Sequence, residues 1–271
     1  MKLIMKTYAI ISVLVFLAGF AKIEPKWKNV EQKSYTVYYT PFDESNHTAY
    51  LNLFEKGVQS VERFWEKPFK NHFDIYVHPN RQSIDSVWQK DWKMTDFKSE
   101  CWVAASGDAA KLNIISPKLW DKETCEHSYS ETIKTQQLIT HELFHVFHGQ
   151  LNASPDFSNV EGIDWFVEGL ATYASGQCDA ARIAEIKKLI AENKTPNNLD
   201  SFWTGKMKYG LSGSMVMYID TKYGRKKLKA LLVFSKKSEI LQSLKITESD
   251  LLHNWSKYMA NFDIQQQPFI K

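Results

Sequence analysis

His141-Glu142-Leu143-Phe144-His145 constrains this chain more than any other stretch of its 271 residues. Two histidines four positions apart share a face only on a helix, so the segment has to be helical for both rings to meet. Rings so placed can grip one metal ion, and the glutamate between them can reach a water held there. The neighbours Leu138, Ile139, Leu143, Val146 and Phe147 are apolar, which predicts a buried helix. A buried ionisable pair is costly without a partner. A metal removes that cost. Four of the eight histidines (His127, His141, His145 and His148) fall within 22 residues.

Catalytic zinc takes three protein ligands and leaves a fourth position for water. The third ligand is expected on the next helix, in Trp165-Phe166-Val167-Glu168-Gly169-Leu170-Ala171-Thr172-Tyr173. Glu168 stands there among apolar residues, and coordination explains a carboxylate in such company. Small Gly169 and Ala171 would let this helix approach the metal helix closely. Asp164 is the rival ligand. It lies four residues earlier on the same face and nineteen after His145, and is assigned to the outer shell, orienting an imidazole. His148 is a second outer-shell or entrance residue. A third histidine six residues after His145 would mark a metzincin, but Leu151 stands there, so that class is excluded.

The rest of the chain reads as α+β: a small mixed sheet in the N-terminal part, packed on a helical C-terminal part. Strands are expected at Tyr35–Thr40, Phe73–His78, Trp102–Ala105 and Leu112–Ser116, the last two joined by a turn at Ser106-Gly107-Asp108. Helices are expected at Asn46–Glu66, Gln82–Asp91 and then Ser130–Gln150, with Ser128 or Ser130 as its cap. Further helices are expected at Gly162–Ser175, Asp179–Asn193, Leu211–Tyr223, Arg225–Phe234 and Ser249–Phe262. No repeat or low-complexity linker interrupts the chain. Residues 35–271 are therefore expected to form one domain, a mixed lobe to 128 and a helical lobe from 129, after a connector at 22–34.

Lys2 and Lys6 followed by the apolar run Tyr8–Phe20 read as a secretory signal peptide cleaved after Ala21. An uncleaved membrane anchor is the alternative, although the run is short of the roughly 20 residues a span needs. Without the two leader lysines the charge is 32 basic against 31 acidic residues, with no basic stripe for nucleic acid. Export also permits a disulfide. Of Cys101, Cys125 and Cys178, the favoured pair is Cys101–Cys125, which closes a loop just before the metal helix.

His-Glu-Leu-Phe-His at 141–145 with Trp-Phe-Val-Glu-Gly-Leu-Ala-Thr-Tyr at 165–173 resembles the gluzincins, the peptidase-MA-like families related to aminopeptidase N and thermolysin. Flanking pieces agree: the strand from Tyr35 to Thr40, and Tyr209-Gly210-Leu211-Ser212-Gly213-Ser214 leading to Tyr218–Gly224. The gap from His145 to Glu168 is four residues longer than in those two enzymes. The resemblance implies a zincin-like fold, zinc held by His141, His145 and Glu168, and Glu142 as catalytic base. It also implies an oxyanion donor from the helical part, for which Tyr209 is the choice. The expected function is an exported zinc metallopeptidase acting on peptide or protein substrates laid along an edge strand, either Trp102–Gly107 or Leu112–Ser116. An aminopeptidase would carry a Gly-x-Met-Glu-Asn-type segment, which is absent, so an endopeptidase is preferred. The alternative is a non-catalytic peptide- or cell-wall-binding protein of the same fold that keeps a structural zinc. An intact Glu142 argues against it, since a structural site needs no base.

Overall fold

The computed structural model describes residues 26–263; the leader expected at the N-terminus lies outside them. Its five-stranded sheet has the order β1-β2-β3-β5-β4, with β1 at Lys28–Glu31, β2 at Tyr35–Tyr39, β3 at Phe73–His78, β4 at Ala105–Gly107 and β5 at Lys111–Ile115. The centre, β2-β3-β5, is parallel, and antiparallel β1 and β4 flank it. Parallel neighbours need crossover helices. These are α1 (His47–Trp65) between β2 and β3, and α2 (Arg81–Asp91) between β3 and the following strands. Strand β5 is buried on both faces and reads as a near-continuous apolar run, whereas β3 alternates, with Phe73, Ile75 and Val77 on its buried face.

After the short α3 (Trp120–Glu123), the chain is helical: α4 (Thr132–Gly149), α5 (Asp164–Ala174), α6 (Ala180–Ala191), α7 (Lys208–Tyr223), α8 (Arg225–Leu231), α9 (Lys237–Leu244) and α10 (Glu248–Ala260). The α+β architecture expected from the sequence is the one observed. Helix α4 joins the two parts, packing on α1, β4 and β5 on one side and on α5 on the other. Aromatic side chains fill the α1–α4 seam: Trp65 stacks on Phe147 at 5.8 Å, and Phe64 meets Phe144 edge-on at 5.1 Å.

Several local expectations are corrected. Strand β4 starts at Ala105, not Trp102, because Val103 N–H bonds back to Glu100 and Cys101 is tied to Cys125, leaving residues 101–102 in a turn. Ser106 and Gly107, read as turn, are strand. Neither serine caps α4: Ser128 and Ser130 bond each other at 2.8 Å, and Glu131 stands at the cap position with its carboxylate on Lys134 and not on a backbone N–H of the helix. Part of the connector is strand β1, whose Lys-Asn-Val-Glu carries no apolar alternation. Helix α9 forms in the stretch between the two last expected helices, where the sequence shows no helix. Gly169 lets α5 approach α7 rather than α4, since a Cβ there would lie 2.4 Å from the Ser212 carbonyl oxygen. The favoured Cys101–Cys125 disulfide is present, and Cys178 is buried and free.

Candidate metal centre and its surroundings

Helix α4 is buried along its whole second half, from Leu138 to Gly149. Its periodicity sets His141 and His145 side by side, with the two Nε2 atoms 3.0 Å apart. From α5, Glu168 brings Oε2 to 3.4 Å from the first Nε2 and 3.6 Å from the second. The three residues form a group that could hold a metal ion. Donor atoms about 2.0–2.1 Å from a tetrahedral zinc sit about 3.3–3.4 Å from one another. The observed separations bracket that edge, and two imidazoles with one carboxylate are a donor set zinc accepts. The residues fit the ion.

The electrostatics follow from burial and from the mutual charges. Burial works to raise the Glu168 pKa, but the adjoining imidazoles of His145 and His141 outweigh it and hold the carboxyl well below its ordinary range. Burial works to lower His145, and the Glu168 charge reverses that, leaving it raised. Glu142 is raised because burial disfavours its anion; the two imidazoles and a hydrogen bond from the Gly107 backbone oppose the shift. A buried carboxyl with a raised pKa beside a convergent donor set is a common mark of acid–base chemistry.

Gly107 is forced by this closeness. A Cβ there would fall 2.3 Å from the Glu142 carbonyl oxygen and 3.2 Å from the His145 Cβ. Strand β4 therefore runs against the metal helix at van der Waals distance, and it is one of the sheet's two edge strands. Strand β5, the other substrate strand considered, lies between β3 and β4 and has no free edge.

Tyr209, the second residue of α7, reaches this cluster, with its ring centroid 6.5 Å from that of His141. Burial, and then the nearby Glu168 and Glu142 charges, push its phenol well above the ordinary tyrosine range, so the hydroxyl keeps its proton. The two outer-shell expectations fare differently. Asp164 is exposed at the first turn of α5 and makes no hydrogen bond to either imidazole. Gln177, in the loop after α5, takes that role: its Oε1 lies 2.9 Å from His141 Nδ1. His148 is not at an entrance. Three residues on from His145 its ring turns inward against Phe157 and Phe166. There it bonds Asn152 at 3.3 Å, and burial holds it neutral with a pKa pushed down to about 3.

Residues 150–163 link α4 to α5. They are tied down by bonds from Asn152 Nδ2 to the carbonyls of Leu232 and Phe234. They also deliver Phe157, in a left-handed backbone conformation (φ 57°), against the rings of His145 and His148. A bulky residue adopts that conformation only when its surroundings hold it there. Neither Gln177 nor Phe157 was singled out from the sequence; both sit in loops, where no periodicity points to a side chain's direction.

No protein-family model matches the chain, and no curated protein matches it by sequence. Among solved structures it is similar to leukotriene A4 hydrolase from Saccharomyces cerevisiae, in one structure with a TM-score of 0.49 at 13% identity, covering 88% of this chain and 38% of that one. A second structure of that yeast enzyme gives 0.49 at 14% identity, covering 89% and 40%. An M1 zinc metallopeptidase from Deinococcus radiodurans gives 0.48 at 12% identity, covering 90% and 53%. The chain thus spans less than two thirds of each. Similarity at this level says nothing of activity, which has to be read from the residues.

Proposed function

We propose that the chain is a zinc metallopeptidase, with His141, His145 and Glu168 holding zinc and Glu142 as general base. The observation that carries this reading is the set of three donor separations, 3.0, 3.4 and 3.6 Å, closing on one point beside a buried glutamate. Zinc in such a site supplies an electrophile and makes a water acidic near neutral pH. Glu142 takes the proton from the attacking water and passes it to the leaving amine. Tyr209, kept protonated by its surroundings, donates a hydrogen bond to the carbonyl oxygen as negative charge develops there. Gln177 accepts from His141 Nδ1, which would leave the Nε2 lone pair free to bind zinc.

An extended substrate adds to the free edge of β4. Ile115 N–H bonds Ala104 O, and Asp108 N–H bonds Lys111 O. Alternation along the strand therefore turns the Ala105 and Gly107 backbone groups outward, toward the cleft. Nothing in the chain supplies the acidic Gly-x-Met-Glu-Asn-type segment of an aminopeptidase, so an endopeptidase is the narrower reading. The leader and the disulfide favour export, since disulfides persist in oxidising compartments. Among the described residues no helix is long and apolar enough to cross a membrane. Chelation should abolish cleavage of a peptide library and stoichiometric zinc should restore it; cleavage that survives complete metal removal would contradict the assignment.

A further inference from the structure

We infer that the Lys208 ammonium is a recognition group for a carboxylate on the substrate, set beside the metal centre by three aromatic rings. This rests on the peptidase reading of that centre. Lys208 Nζ lies 4.6 Å from the ring centroid of Trp102, 4.5 Å from that of Trp203 and 5.2 Å from that of Tyr209. Trp203 and Tyr209 meet edge-to-face at 5.0 Å, forming a corner. Trp102 comes from the other part of the molecule, one residue after the Cys101 bridge, with its carbonyl bonded by His127 at 3.0 Å.

Pairing with a protein carboxylate does not account for this lysine. It is the first residue of α7, where the helix dipole disfavours a cation. It has no carboxylate at ion-pair distance among the described residues, whereas Lys111 and Lys118 each have one and Lys237 has two. Its ammonium is instead held by ring faces, which attract a cation without neutralising it. The long side chain is thereby fixed in advance, so a ligand that binds it meets a lower entropic cost.

The position gives the charge its purpose. Tyr209 is both a wall of the basket and the ring 6.5 Å from His141. Trp102 lies three residues before Ala105, where edge strand β4 begins. A peptide laid on β4 with its carbonyl at Tyr209 therefore passes the ammonium. A second cation, Arg182, stands 5.6 Å from the Tyr209 ring centroid and also lacks a carboxylate partner among the described residues. The anions facing this ring are Glu168, Glu142 and the exposed Glu126; the first is engaged with the two imidazoles. Because Lys208 itself fills the basket, the group presented to substrate is a positive charge. An anionic substrate group fits it and a cationic one does not.

The test uses an equimolar mixture of pentapeptides in three forms: with a free C-terminal carboxylate, as amides lacking acidic residues, and as amides bearing one Asp or Glu. Retention on immobilised, zinc-loaded Glu142→Gln protein is read by mass spectrometry. Enrichment of the first form assigns the terminal carboxylate, and enrichment of the third assigns an acidic side chain. Lys208→Met should cut that enrichment about fivefold, and Lys208→Arg should preserve it, which separates a charge effect from a folding defect. Equal retention of all forms, enrichment unchanged in Lys208→Met, or enrichment of basic peptides would overturn the inference. Cleavage of the same mixture by the wild-type chain is scored separately. Cleavage without carboxylate enrichment removes only the subsite; Lys208-dependent enrichment without any cleavage leaves the subsite and removes the peptidase reading.

Discussion

Gln177 Oε1 lies 2.9 Å from His141 Nδ1 and thereby sets which nitrogen of that ring faces Glu168. The loop carrying Gln177 is itself held by a bond from the Arg182 guanidinium to the Gln177 carbonyl. Outer-shell partners of this kind fix tautomer and orientation. Gln177→Leu should therefore weaken zinc binding by about 10- to 100-fold with little change in the unfolding midpoint of the zinc-free chain. Competition with a chelator of known affinity measures it; unchanged affinity would show that Gln177 does not position the ring.

Gly169→Ala tests the approach of α5 to α7. The added methyl would lie 2.4 Å and 2.6 Å from the Ser212 carbonyl oxygen and carbon, which are backbone atoms that cannot swing aside. Overpacking of this sort costs about 1–3 kcal/mol, against a helix-propensity gain of roughly 1 kcal/mol for replacing glycine. The upper part of that range applies, so a net loss of about 2 kcal/mol is expected in urea unfolding. Zinc affinity should fall as well, because Glu168 is the preceding residue. A stabilised variant would mean that the two helices are not in contact here.

His78 gives a pH dependence independent of the metal centre. It is buried between Ser83 and Asn113, and burial pushes its pKa down from 6.5 to about 4, with Lys111 acting the same way. Above pH 6.5 the ring is neutral folded and unfolded, and contributes nothing. Between 6.5 and 4 only the unfolded chain takes up the proton, so stability falls as the pH falls. Below about 4 both states are protonated and the deficit levels off near 3 kcal/mol. Between pH 7.5 and 4.5 the wild type should lose about 2.5 kcal/mol more than His78→Gln. Equal losses in the two proteins would place the acid sensitivity elsewhere.

The Cys101–Cys125 bridge closes a loop of 24 residues just before α4. Constraint of the unfolded chain by a loop of that size is worth about 3 kcal/mol. The Cys101→Ser, Cys125→Ser double variant should lose that much in thermal or urea unfolding. Arg81 bonds the carbonyls of Glu100, Cys101 and Glu123 on both sides of the bridge, so the local fold should survive. Loss of all cooperative unfolding would show that the bridge holds more than this loop.

What was legible in the sequence is what periodicity and chemistry encode together. His141, His145 and Glu168 sit on helices whose apolar neighbours fix the buried face, and Phe73–His78 alternates so clearly that its ends match the strand. Strand β4 was displaced because Trp102 and Val103 are β-prone by type, while a disulfide and Arg81 hold that stretch in a turn. Gly107 reads locally as turn; it pairs with Leu112 as strand, and its missing Cβ lets β4 lie against Glu142. Gln177, Phe157 and the Lys208 basket depend on loops folding back over the cleft, contacts for which a single sequence carries no periodic signal.

The most direct test of the central claim pairs metal content with cleavage in Glu142→Gln. The account predicts one zinc per chain in both wild type and variant, and peptide cleavage reduced by several orders of magnitude in the variant. Full cleavage by zinc-loaded Glu142→Gln, or a wild-type chain that binds no zinc, would contradict it.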